Sequence, residues 1–213
     1  MDGAPPFSIL AVCTGNVCRS PAAERLLRQR LGPSVTAESA GTFGLVGQPI
    51  AAPMADLLLA RGVDIDGFVA RRLSHGLIQQ ADLVLALTRA HRSLVVEAWP
   101  KAVRRTFTLR EFARLLSGID RAALPASTPA DRLRAAVPLA AAQRGRWRVP
   151  SSEDDVLDPY RQPRPVHRAS LAQILPAVEA IAQVAIGAAG AERLTSAEPR
   201  GEQGQLRRRA GTD

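Results

Sequence analysis

The stretch Cys13-Thr14-Gly15-Asn16-Val17-Cys18-Arg19-Ser20-Pro21 decides how the rest of the chain is read. Upstream of it, Phe7 to Val12 is a short apolar run that predicts a buried parallel strand. Downstream, Ala23, Leu27 and Leu31 share one face of a helical pattern, with Leu26 beside them. Pro21 is expected at the first helical position, where its missing N–H removes a donor that no helix satisfies internally. A tight loop therefore joins a strand end to a helix start, and it aims backbone N–H groups and the positive helix terminus at one point. That point is an anion site.

The residues in the loop set its chemistry. Cys13 opens it and Arg19 closes it, five residues apart. A planar guanidinium grips two phosphate oxygens at once, which a lysine does not copy. The loop amides and helix dipole favour a thiolate at Cys13. Gly15 is expected to supply a backbone shape that a side chain would obstruct. The Ser20 hydroxyl is placed to hydrogen-bond the sulfur and stabilise it as a leaving group. Together these parts make a nucleophile inside a phosphate cradle.

The run Cys-Thr-Gly-Asn-Val-Cys-Arg-Ser-Pro-Ala-Ala-Glu resembles the signature of the low-molecular-weight protein tyrosine phosphatases, and the resemblance spans about residues 7–118 and 152–186. It implies an α/β fold, a four-stranded parallel sheet flanked by helices on both faces, with the phosphate-binding loop after the first strand. It also implies hydrolysis of protein phosphotyrosine through a phosphocysteine, with neither metal nor cofactor. By the resemblance Cys13 is the nucleophile, Arg19 the phosphate clamp and Asp158, in Asp158-Pro159-Tyr160, the general acid. Thr14, Gly15, Asn16, Val17, Cys18 and Ser20 bind the phosphate. Ser39, in Ser39-Ala40-Gly41-Thr42, braces Asn16. Phe43 and Leu45 form the slot wall, with Tyr160 supporting it. Cys18 stands where the family forms a reversible disulfide with the nucleophile. Phe68 replaces a family histidine ahead of Ala70-Arg71-Arg72-Leu73, and Thr88 replaces a frequent aspartate.

Asp158 competes with Asp154 and Asp155 for the acid's role. Only Asp158 precedes Pro-Tyr, and proline stiffens the loop presenting it. The remaining apolar runs predict strands over 34–40, 81–87 and 106–109, with helices between them. Ser74 is expected to cap a short helix, and Gly62 and Gly118 to end others. Alternating strands and helices make the sheet parallel. Residues 119–150 read as an insertion, a surface excursion or a lid, whose Ala-rich helix from Thr128 is interrupted at Pro138. Residues 151–155 read as a mobile acidic turn. Residues 1–187 form one phosphatase domain, its last helix kinked at Pro176, and 188–213 a disordered tail.

At 213 residues and 46% hydrophobic content, one sizeable core is within reach. No apolar run reaches membrane-spanning length, and the first residues lack a secretion signal, so a cytoplasmic location is expected. Both cysteines lie in the loop, which excludes a disulfide framework and any multi-thiolate zinc site. His75, His91 and His167 have no ligand spacing and read as solvated or capping residues. The net charge of +8 is carried almost wholly by arginine, with Lys101 the sole lysine. Without interleaved aromatics or a nucleic-acid motif, the partner expected is a phosphotyrosine protein, together with a tyrosine kinase of polysaccharide export, and neither nucleic acid nor membrane. Two alternatives remain: arsenate reduction on the same fold, and a catalytically silent phosphate-binding module.

Overall fold

A computed structural model describes residues 5–145 and 149–195. Four parallel strands, β1 (Phe7–Cys13), β2 (Val35–Gly41), β3 (Leu83–Ala86) and β4 (Thr106–Thr108), form one sheet in the order β2-β1-β3-β4. The period-two geometry of β1 sends Phe7, Ile9 and Ala11 to one face and Leu10 and Val12 to the other. Both sets are buried because helices cover both faces, which is why the central strands read as unbroken apolar runs.

On the larger face pack α1 (Arg19–Leu31), α2 (Ala52–Leu59), α5 (Leu109–Leu116), α6 (Pro129–Gln143) and α8 (Arg164–Thr195). The other face holds α3 (His75–Gln80), α4 (Arg89–Ala98) and a 3-10 turn over Pro100–Arg105. Ser74 caps α3, and Thr108 with Glu111 closes a full capping box on α5. A four-residue helix, α7 (Ser151–Asp154), precedes the segment carrying Asp158.

Several expectations need correction. Pro21 is the third residue of α1, not the first. That position is equally permissive, because the first four helical N–H groups lack internal acceptors. The helix from Pro129 runs unbroken through Pro138 to Gln143. It is no surface excursion: Leu133, Ala136 and Ala140 are fully buried in the main core against α8 and α5. Nor is it a lid, since its Arg134 reaches the Pro5 carbonyl and the Phe7 ring, at the end of β1 remote from Cys13. The break in α8 falls at Gly187 (φ 68°), and the backbone of 188–195 continues as helix. The rest of the tail, 196–213, lies outside the described residues. By length and composition Arg164–Gly187 is apolar enough to cross a membrane, yet Leu171, Ile174, Val178 and Ile181 are spent on the core.

Candidate active site

Cys13 ends β1, and β2 ends beside it at Gly41, its register partner. The segment after β2 runs along the outside of the loop. Its amides at Thr42, Phe43, Leu45 and Ala51 donate to the carbonyls of Cys13, Thr14, Gly15 and Val17, at 2.8–3.0 Å. With the carbonyls drawn outward, the loop's own amides are left for the inner side, which forms an anion nest. The Asn16 N–H already points at the Cys13 sulfur from 3.3 Å.

Asn16 holds that shape. It is fully buried at a φ of 56°, a left-handed conformation that asparagine tolerates better than most residues. Its Nδ2 donates to Ser20 Oγ at 2.9 Å and Ser39 Oγ at 2.7 Å, and its Oδ1 accepts the Arg71 N–H at 2.9 Å. The Ser39 hydroxyl in turn donates to Glu24 Oε2 at 2.6 Å. Ser20, accepting from Asn16, sits 3.0 Å from the Cys13 sulfur, and once the sulfur is a thiolate only Ser20 has a proton to give. The brace expected between Ser39 and Asn16 is therefore present and extends to buried Glu24, whose carboxyl burial pushes above its ordinary value.

The steric demand lies elsewhere than Gly15. A Cβ there would meet Val17 and Leu45 at ordinary contact, 3.5 Å or more. At Gly41 it would come within 2.4 Å of the Thr14 carbonyl oxygen. So β2, not the loop, needs the missing side chain.

A cavity of about 260 Å³ opens above the loop. Its floor is Cys13, Thr14, Gly15, Val17 and Cys18, its charged walls are Arg19 and Asp158, and its rim is Phe43, Leu45 and Tyr160. Every expected site residue lines this space except Asn16, Ser20 and Ser39, which lie beneath it. Arg19 is buried and donates through Nη1 to the Val156 carbonyl (3.2 Å), while its Nη2 lies 2.7 Å from Asp158 Oδ2. Asp158 is about half exposed (52%) and faces the opening. Phe43, 64% exposed, stands at the mouth.

Its two rivals have other work. Asp155 Oδ1 accepts the first amide of α4, from Arg89, at 2.7 Å. Asp154 is buried and pairs with Arg89 and Arg114, each at 2.6 Å. Residues 151–155 are accordingly an anchored helix turn, not a mobile one.

His91 is neither solvated nor a mere cap. It is buried, with Nε2 2.8 Å from Thr14 Oγ1 and Nδ1 2.8 Å from Thr88 Oγ1. Burial, helped by the Arg19 charge, pulls its pKa down to about 4, so the ring is neutral. Thr88 thus caps α4 and holds the imidazole that holds the loop; a Thr-x-x-His spacing was the available signal. Phe68 packs beside Val17 and Cys18 and under the Arg25 guanidinium, 5.5 Å away. Burial pushes the Cys18 thiol up to about 12, helped by the neighbouring Cys13, so Cys18 stays protonated; both cysteines are free. No group of three or more His, Cys, Asp or Glu side chains suited to a metal occurs among the described residues.

Fold and loop together define a parallel α/β protein with a cysteine-headed oxyanion cradle at the carboxyl end of its first strand. Residues 8–123 match the family model described as low molecular weight phosphotyrosine protein phosphatase, and the chain belongs to that family. It is 44% identical over 99 residues to the low molecular weight protein-tyrosine-phosphatase Etp of Escherichia coli K12, a match covering 46% of this chain and 66% of that relative. It is 38% identical over 115 residues to a protein-arginine-phosphatase of Geobacillus stearothermophilus, covering 54% and 75%. The solved structure of the YwlE arginine phosphatase from Geobacillus stearothermophilus superposes with a TM-score of 0.63 at 28% identity, covering 92% of this chain and all of that one.

Proposed function

We infer that this protein is a cysteine-dependent phosphatase that hydrolyses phosphotyrosine in proteins. The observation that carries this reading is the single cavity shared by the Cys13 sulfur, the Arg19 guanidinium and the Asp158 carboxyl group. In the proposed reaction the phosphate dianion takes over the Arg19 fork, which releases Asp158 from its ion pair. The Cys13 thiolate attacks phosphorus in line; the S–P bond forms as the P–O bond to the phenol breaks. The amides of the loop and Arg19 hold the three equatorial oxygens through the transfer. Protonated Asp158 gives its proton to the departing oxygen, and as carboxylate it then takes one from the water that cleaves the phosphocysteine. Ser20 donates to the sulfur as it leaves.

The apolar rim supports an aryl substrate, because Phe43, Leu45 and Tyr160 flank the opening as a flat ring requires. A second reading, hydrolysis of phosphoarginine, is favoured by the likeness to the Geobacillus stearothermophilus enzyme. A free thiolate operates in a reducing compartment, which supports a cytoplasmic location. A tyrosine kinase of polysaccharide export is the proposed source of substrate.

Phosphate release from phosphotyrosine, phosphoserine and phosphoarginine peptides separates these readings. Release from phosphotyrosine is expected to dominate. Cys13→Ser is expected to abolish release and to keep phosphate binding in calorimetry; full activity in that variant ends the proposal. Reducing equivalents consumed with arsenate, and no phosphate released from any peptide, would select the reductase.

A further inference from the structure

Away from the catalytic cavity, four arginines converge on a second cleft of about 480 Å³. Arg89 and Arg92 come from the start of α4, Arg114 from the end of α5 and Arg144 from just past α6, and they face Glu111 and Asp154. Four guanidinium groups against two carboxylates leave a surplus of two positive charges.

The carboxylates are already committed. Asp154 Oδ2 takes Arg89 at 2.6 and 3.0 Å, and its Oδ1 takes Arg114 at 2.6 Å. Glu111 accepts Arg144 on one oxygen at 3.1 Å and the Thr108 N–H on the other, also at 3.1 Å. What remains for Arg92 is a 4.0 Å approach to Glu111, too long for a hydrogen bond. Among the described residues its guanidinium donates to no acceptor, although two thirds of the side chain is out of solvent. Burial, and the Arg92 charge beside it, hold Arg144 below the ordinary arginine value. Like charges crowded into a half-desolvated cleft repel, and Arg92 is the one among them with no hydrogen-bonded carboxylate among the described residues.

We propose that this cleft binds a small oxyanion of the phosphate class carrying two or more negative charges. Such a ligand cancels the surplus and accepts from the Arg92 guanidinium. Arg89 meanwhile stays on Asp154 and the Val149 carbonyl, and Arg144 on Glu111 and the Val103 and Thr106 carbonyls. At about 480 Å³ the cleft is large enough to admit a diphosphate. Arg144 lies beyond the residues matched by the family model. The cleft also lies at the root of the acid segment, since Asp154 is followed by Asp155, Val156 and then Asp158.

The test is calorimetric titration of the full chain, at low salt, with methylenediphosphonate, whose P–C–P bridge is not hydrolysed. Two binding events are expected, one at the Cys13 loop and one at the cleft. Saturating the loop with one equivalent of orthovanadate, which bonds the Cys13 sulfur and leaves no excess anion for a purely ionic site, is expected to leave the cleft event. Arg92→Gln is expected to weaken that event by about tenfold or more with an unchanged melting temperature. Loss of all binding in the vanadate-saturated chain overturns the proposal, and so does an Arg92→Gln chain that keeps both events at wild-type affinity. The vanadate arm needs no substitution, so it decides the matter even if the variant folds poorly.

Discussion

Two buried side chains, Asn16 and His91, tie the phosphate loop to the elements around it. Asn16 uses both amide protons and its carbonyl to tie the loop to α1, β2 and the Arg71 backbone. His91 uses both ring nitrogens, one as donor and one as acceptor, between two threonine hydroxyls. A doubly protonated ring can only donate, so protonation forces one threonine hydroxyl to turn from donor to acceptor and places a charge in a buried site. The folded-state pKa of about 4 lies below the ordinary 6.5, so between those values the unfolded chain holds a proton that the folded one lacks. Folding stability is therefore expected to fall as the pH drops from 6.5 towards 4, and to be indifferent to this group above that window. Urea midpoints across the window check this for the wild type and for His91→Gln, in which the decline should be shallower. An equal decline in both would remove His91 from the account.

Among the elements, β2 and α6 show how packing decides function and stability separately. The last residue of β2, Gly41, lies so close to the Thr14 carbonyl that an added methyl group must move one of them. Gly41→Ala is expected to displace the loop and lower kcat/KM for p-nitrophenyl phosphate by about a hundredfold. Thermal melting of the same variant should show a loss of about 1–3 kcal/mol. Helix α6 carries a different kind of weight. Leu133 is wholly buried there, and Leu133→Ala is expected to destabilise the protein by about 3 kcal/mol with KM unchanged. A variant as stable as wild type in urea would return α6 to the surface.

At the scale of the molecule, the site depends on bringing residue 158 back to the loop at residue 13. The return path is fixed by Asp154 between Arg89 and Arg114, by Asp155 on the first amide of α4, and by Val156, whose N–H donates to the Leu87 carbonyl at 2.9 Å. Together these present Asp158 at the mouth while Val156 O receives Arg19. Asp158→Ala is expected to lower kcat for phosphotyrosine peptides by about a hundredfold or more. Aryl phosphates with strongly acidic phenols should suffer much less, because their leaving oxygen needs no proton. Equal losses across a leaving-group series would assign Asp158 a structural role instead.

The chemistry of the loop, the parallel sheet and the placement of most helices were legible in the amino-acid order. Each depends on neighbours a few residues apart: a Cys-x5-Arg spacing between a strand and a helix, or a periodicity that shows which side of an element is apolar. Periodicity does not say what covers that side, so the pattern of α6 fits an exposed insertion equally well, and only the packing of α8 and α5 on it makes it core. Likewise the sequence marked Asp154, Asp155 and Asp158 as three nearby acids. Only the fold, by setting α4 and α5 beside the first two and Arg19 beside the third, gave them different partners. Long-range ion pairs, the Glu24–Ser39–Asn16 chain and the contact of His91 with Thr14 arise from strand order and helix placement, which act between residues that no local pattern connects.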